Sequence, residues 1–300
     1  MIYAILGPTC SGKSDLAYKL SKHFSNMPII NFDAFQVYKE IEKGTAKPTQ
    51  DEMEKYNLFL YDFVSIKDQY DVSRYQADAR KILAEHKDAI MVGGTGLYLK
   101  AALFDYKFYE ESKMDEGFLK DKTNDELYEM LLKIDKDDAL KIGPNNRKRL
   151  LRALFIFKEH GKSKSDLNEN GKDKLLYPNV TFIGLDIDKE YLYERINKRV
   201  DIMFENGLPL EAHMLFKEYD NSLRGLQAIG YKEFLKTNND EEAKEMIKLN
   251  TRHYAKRQFT FFKHQFNNVR WFKSIDEAYE TIVNEEKYGN KWSNKIIVKK

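Results

Sequence analysis

The sequence predicts an α/β protein: a mostly parallel sheet flanked by helices, carrying a helical insertion. Three observations lead there. Short apolar runs rich in β-branched residues recur at residues 2–6, 28–32, 89–92, 180–185 and 269–272, most of them separated by stretches of helical period. The first run passes directly into Gly7-Pro8-Thr9-Cys10-Ser11-Gly12-Lys13-Ser14, a complete Gly-x-x-x-x-Gly-Lys-Ser/Thr sequence. Between about residues 108 and 179 the strand signals vanish and helical patterns take over.

Taken in order, residues 2–6 are a strand-sized apolar stretch. After the glycine-rich loop, Leu16, Ala17, Leu20 and Phe24 fall at helical spacing, which is the strand–loop–helix context of a P-loop NTPase-like core. Residues 28–32 and 89–92 read as further strands, the latter followed by a helix through Leu97, Leu99, Ala102 and Leu103. In the insertion, Leu127, Met130, Leu131 and Ile134 mark one helix and Leu150, Leu151, Leu154 and Phe155 another. Beyond the run at 180–185, residues 189–263 are mainly helical, broken at Gly207-Leu208-Pro209 and at Gly225. The expected organisation is a catalytic core of residues 1–107 and 180–300 with a helical insertion domain at 108–179.

Lys and Arg (50) nearly balance Asp and Glu (48), a net charge of +2, so any nucleic-acid surface must come from local clusters. No apolar run approaches the roughly 18–20 residues of a bilayer span, which argues against a membrane protein. The single cysteine, Cys10, cannot form an internal disulfide, and the strand-like start, unlike a basic segment followed by a long apolar stretch, leads to the expectation of an unprocessed chain. The expected compartment is the cytoplasm.

In a P-loop, glycines let backbone N–H groups turn around a diphosphate and the helix N-terminus adds partial positive charge. Lys13 then supplies a cation, and the Ser14 hydroxyl can ligate Mg²⁺. The motif specifies diphosphate binding, not ATP hydrolysis; its bland alternative is a serine-capped glycine turn. Asp33 follows the run at 28–32, which in a parallel sheet puts it in the crevice facing the phosphate loop. There it can act as a base, cap a helix over 34–38 or stand behind a Mg²⁺ ion, and position alone does not decide. Gly93-Gly94-Thr95-Gly96-Leu97-Tyr98 can bring backbone and the Thr95 hydroxyl to an anion, or form a tight turn. Two basic clusters hold no acid: Arg147, Lys148, Arg149 and Arg152, and residues 251–263, where Arg252, Lys256, Arg257 and Lys263 alternate with aromatics. Such clusters suit a phosphate backbone with an unstacked base, or are solvated faces.

Together with Asp33-Ala34-Phe35-Gln36-Val37-Tyr38, Gly44-Thr45-Ala46-Lys47-Pro48 and Gln227-Ala228-Ile229-Gly230-Tyr231-Lys232-Glu233, these segments resemble the tRNA dimethylallyltransferases in order and spacing, from residue 1 to about 272. The resemblance implies transfer of a dimethylallyl group from dimethylallyl diphosphate to the exocyclic amine of the adenosine 3′ of the anticodon, in tRNAs reading codons that begin with U. It makes Asp33 the general base. It also implies that Gly7, Pro8, Thr9, Cys10, Ser11, Gly12, Lys13 and Ser14 hold the leaving diphosphate with Mg²⁺, Thr9 and Thr95 standing near the reacting centre. It puts tRNA on Asp33, Ala34, Phe35, Gln36 and Thr95, on Lys148, Arg149 and Arg152, on Gln227, Gly230, Tyr231 and Lys232, and on Lys256, Arg257, Gln258 and Lys263. A monomer is expected.

The chain departs from the family pattern in places. Lys55-Tyr56-Asn57-Leu58-Phe59 stands where a histidine-containing stretch is usual, Ala34 replaces a serine, Phe261 replaces a tryptophan, and no Cys/His zinc cluster follows the core. Competing readings are an adenine-nucleotide isopentenyltransferase, which the basic insertion argues against, and a P-loop small-molecule kinase, which the segments at 36–38 and 44–48 disfavour. A non-catalytic RNA-binding module is a third, against which Gly12, Lys13, Ser14 and Asp33 are all present.

Overall fold

The structure, a computed structural model, describes residues 1–108, 114–115, 117–163, 165–166 and 174–288. The chain divides into two compact units, residues 1–102 with 178–300, and residues 103–177. Residues 289–300, expected in the core, lie outside the described residues.

In the first unit, β1 (Ile2–Leu6) is buried at every position, as a central parallel strand covered on both faces must be. It leads into the glycine-rich loop, and α1 (Lys13–His23) departs from Gly12. The φ of 91° at Gly12 suits glycine alone, and a Cβ there would lie 2.3 Å from Ile275 Cδ1. α1 buries Leu16, Ala17 and Leu20 into the same apolar cluster as Ile5, Ile90 and Ile183, so its register is set by the sheet. Leu16→Ala is expected to cost about 2–5 kcal/mol. Next come β2 (Ile29–Asn31), α2 (Gln50–Lys55), β3 (Leu58–Phe59), α3 (Val72–Glu85), β4 (Ala89–Val92) and α4 (Gly96–Leu103). α2 opens on a capping box formed by Thr49 and Glu52. Residues 34–37 form bends and a turn, and Tyr38 a β-bridge with Val64, rather than the helix that Asp33 was expected to cap as one alternative. The Asp33 carboxylate instead accepts from the Phe35 N–H at 2.9 Å, closing a local turn of the kind Asp favours.

The second unit holds α5 (Asn124–Ile134), α6 (Lys136–Ile142) and α7 (Arg147–His160) around a core of Leu127, Leu131, Ala139, Leu150, Ala153 and Leu154. Thr123 and Glu126 form the capping box of α5, and Asp135 caps α6. The Arg147 guanidinium donates to the carbonyls of Leu119, Lys120 and Lys122. It is committed to loop structure, so the exposed basic strip of α7 is Lys148, Arg149 and Arg152.

The first unit resumes with β5 (Val180–Leu185), α8 (Lys189–Glu205), α9 (Leu208–Glu218), a 3₁₀ turn (Arg224–Gln227), α10 (Asp240–Gln265), β6 (Arg270–Phe272) and α11 (Ile275–Tyr288). The six strands lie in the order β3-β2-β4-β1-β5-β6, with every pairing parallel. The chain builds one side of β1 first and the other side last. The connections therefore diverge at β1, and the crevice at its carboxyl end is where such sheets bind ligands. No helix among the described residues is long and apolar enough to cross a membrane.

Candidate active site

Because every strand is parallel, the loops after β1, β2 and β4 leave the same edge of the sheet. They bring the phosphate loop, Asp33 and Gly93-Gly94 together around a cavity of about 650 Å³. Thr9, Cys10, Gly12, Lys13 and Ser14 line it, while Gly7, Pro8 and Ser11 do not. A second cavity of about 240 Å³ is lined by Phe35, Gln227, Lys232 and Arg257 among others. Thr95 lines neither cavity. Both cavities share Thr9, Asp33, Thr45, Arg199, Met203 and Tyr254 as wall, so the two openings meet at Asp33.

Lys13 Nζ donates to the Pro8 carbonyl at 2.6 Å, parked on its own loop. Burial lowers its pKa to about 8; Cys10 and Asp33 oppose that shift and Arg199 adds to it. Burial also raises the Asp33 carboxyl, against the pull of the Phe35 and Gln36 N–H groups and of Lys13 and Arg199. The net effect makes the ionised Asp33 a better proton acceptor than a free aspartate. Asn31 sets its backbone, accepting from the Asp33 N–H at 2.8 Å.

Thr95 holds the next residue, its hydroxyl accepting from the Ala34 N–H at 3.0 Å. Gly94 must lack a side chain: a Cβ would come within 2.8 Å of Asp33 Oδ2 and 2.6 Å of Gln258 Nε2. Arg199 Nη1 donates to the Thr9 hydroxyl at 3.3 Å and approaches Cys10 Sγ at 3.6 Å, placing a fixed cation on the wall shared by the two cavities. The Ser11 hydroxyl is buried with no partner among the described residues.

The residues expected on tRNA separate into groups. Phe35, Gln227, Lys232 and Arg257 face the smaller cavity, and Gln36 faces the larger one while its amide donates to the carbonyls of Thr45 and Ala46. Lys148, Arg149, Arg152 and Lys256 are exposed, and Lys263 lies 3.8 Å over the Trp271 ring. Ala34 is buried. Gln258 and Tyr231, both expected on tRNA, are buried and hydrogen-bonded within the protein. Gln258 spans Thr9 and Gly94, and the Tyr231 hydroxyl donates to Glu211 and accepts from the Gly44 N–H. Gly230, at φ 108°, packs against Gly44.

Sequence reasoning missed Arg199, Arg195 and Asn31. Arg195 and Arg199 lie one turn apart beside the buried stripe Leu192, Ile196 and Val200 of α8, a pattern that any solvated helix also shows.

Among the described residues no group of three His, Cys, Asp or Glu side chains could cage a metal ion. Ser14 and Asp15 do line the larger cavity beside Lys13. One hydroxyl next to a diphosphate cradle fits Mg²⁺, which keeps its waters and is held largely through substrate phosphates.

A P-loop-type α/β core, with a lysine-bearing cradle facing a half-buried carboxylate, defines an enzyme of diphosphate chemistry. The profile of the IPP transferase family matches residues 36–265. A tRNA dimethylallyltransferase of Anoxybacillus flavithermus is 39% identical over 295 residues, covering 95% of this chain and 94% of the relative. One from Oceanobacillus iheyensis is 36% identical, covering 95% and 96%. Among solved structures, the tRNA isopentenylpyrophosphate transferase of Bacillus halodurans aligns with a TM-score of 0.70 at 33% identity, over 97% of this chain and 98% of that one. A eukaryotic dimethylallyltransferase acting on tRNA aligns with a TM-score of 0.81 at 29% identity, over 96% and 79%. The chain belongs to the IPP transferase family.

Proposed function

We propose that the protein transfers a dimethylallyl group from dimethylallyl diphosphate to the exocyclic amine of the adenosine 3′-adjacent to the anticodon, in tRNAs reading codons that begin with U, and releases diphosphate. The observation that carries this reading is that two openings meet at one carboxylate. The larger opening, with Lys13 and Ser14, suits the anionic donor; the smaller, with Phe35, Gln227, Lys232 and Arg257, suits a flipped base and its backbone.

In this reading the C–O bond between the allylic carbon and the diphosphate breaks while the amine nitrogen forms a new C–N bond to that carbon. The amine proton passes to Asp33. Lys13 leaves the Pro8 carbonyl for the diphosphate, and it and Arg199 stabilise the growing negative charge. Mg²⁺, held by Ser14 and diphosphate oxygens, would add charge neutralisation there. Thr95 keeps the Asp33 loop in place. Lys148, Arg149, Arg152 and Lys256 supply phosphate contacts.

The test is to incubate the protein with dimethylallyl diphosphate labelled in the prenyl group, offering tRNA or AMP as acceptor. Label should move to tRNA only. Transfer to AMP alone would replace the reading with an adenine-nucleotide isopentenyltransferase, and no transfer to either would remove prenyl transfer altogether.

A further inference from the structure

Tyr61 lines the larger cavity, yet no group among the described residues hydrogen-bonds its hydroxyl. Its placement is unusual. Both neighbours, Leu60 at φ 64° and Asp62 at φ 52°, adopt the left-handed conformation that residues with side chains seldom take. Separate contacts hold them there. Asn31 Nδ2 donates to the Leu60 carbonyl at 2.9 Å, the Asp62 N–H donates to the Gln36 carbonyl at 3.0 Å, and Lys47 pairs with the Asp62 carboxylate. The same Asn31 side chain accepts from the Asp33 N–H, so one buried amide fixes both the loop bearing the base and the loop bearing the phenol.

Tyr61 belongs to one side of the site. It shares the larger cavity with Lys13, Ser14 and Asp15 and takes no part in the smaller one with Phe35 and Gln227. Burial pushes its hydroxyl well above the ordinary value, with Tyr18, Asp33 and Glu52 acting in the same direction, so the phenol keeps its proton and can only gain by donating it in a hydrogen bond to an anion.

We propose that Tyr61 is a donor-binding residue whose hydroxyl hydrogen-bonds the diphosphate of the prenyl donor. This rests on the reading that the larger cavity takes dimethylallyl diphosphate.

The test is Tyr61→Phe, which keeps the ring and removes one oxygen. Calorimetric titration with dimethylallyl diphosphate, and separately with inorganic diphosphate, should show both dissociation constants raised about tenfold or more, the loss expected for a hydrogen bond to a charged group. Affinity for tRNA should be unchanged, kcat at saturating donor should change less than the donor KM does, and the melting temperature should match the parent, because the hydroxyl has no protein partner to lose. Inorganic diphosphate binding within twofold of the parent would overturn the proposal, as would a lowered melting temperature. If the parent binds inorganic diphosphate but transfers no prenyl group to tRNA, the functional reading fails, and the same titration still decides whether Tyr61 touches the diphosphate.

Discussion

Gln258 donates through Nε2 to the Gly94 carbonyl at 2.9 Å, and through its other end accepts from the Thr9 N–H at 2.8 Å. One buried amide on α10 thus ties the loop after β4 to the loop after β1 and sets the width of the site between them. Gln258→Leu leaves the Thr9 N–H and the Gly94 carbonyl without this partner, each at about 1–3 kcal/mol if it stays dry. The expected outcome is a lower melting temperature and a raised donor KM with tRNA affinity nearly unchanged. A loss of tRNA affinity at constant melting temperature would make Gln258 a tRNA contact rather than a tie between the two loops.

Asp33→Ala should lower the single-turnover rate of prenyl transfer by about 10²–10⁴, the usual range for a lost general base, and leave tRNA binding nearly intact. Asp33→Asn, which can still accept from the Phe35 N–H, should be nearly as slow. A rate above about a third of wild type in either variant would remove Asp33 from the chemistry, since that change is under 1 kcal/mol.

The rate should depend on pH through two groups of opposite sign. Asp33 must be ionised to take a proton, and burial raises its pKa, so the acid limb of kcat/KM should rise at a pH above the ordinary carboxylate value. Lys13 must be protonated to meet the diphosphate, and burial lowers its pKa to about 8, so the alkaline limb of the free enzyme should fall near there. Bound diphosphate favours the ammonium form, which moves the alkaline limb of kcat upward relative to that of kcat/KM. Full pH–rate profiles at limiting and saturating donor check both points, and an alkaline limb at the same pH in the two would separate Lys13 from the donor.

Arg149→Ala combined with Arg152→Ala should weaken tRNA binding and reduce the slope of log affinity against log salt by about one unit per lost phosphate contact. Donor affinity should be unchanged. Filter binding at several salt concentrations measures it, and an unaltered slope would make this strip of α7 an ordinary solvated face.

What could be read from the sequence was what is contiguous or strictly positional. The residues from Gly7 to Ser14 declare their chemistry locally, and Asp33 follows from the rule that parallel strands deliver their carboxyl ends to one edge. β3 escaped because two residues, Leu58 and Phe59, have no period. The contacts of Arg147 and Gln258 were not legible for a common reason: within a run of basic and polar residues, nothing local tells a side chain that reaches solvent from one that satisfies buried backbone carbonyls or N–H groups. Arg199 and Tyr61 required the tertiary fold, since α8 and the turn after β3 carry no motif that points toward the phosphate loop.

If the phosphate loop clasps the diphosphate of a prenyl donor rather than ATP, prenyl transfer to tRNA needs no ATP. Purified protein, tRNA, Mg²⁺ and dimethylallyl diphosphate are combined in rigorously ATP-free buffer, and prenylated adenosine and released diphosphate are counted together. One diphosphate should be released for each prenyl group on tRNA, with both lost together in Lys13→Ala at low donor concentration. A strict requirement for ATP, or transfer that proceeds undiminished in Lys13→Ala, would contradict it.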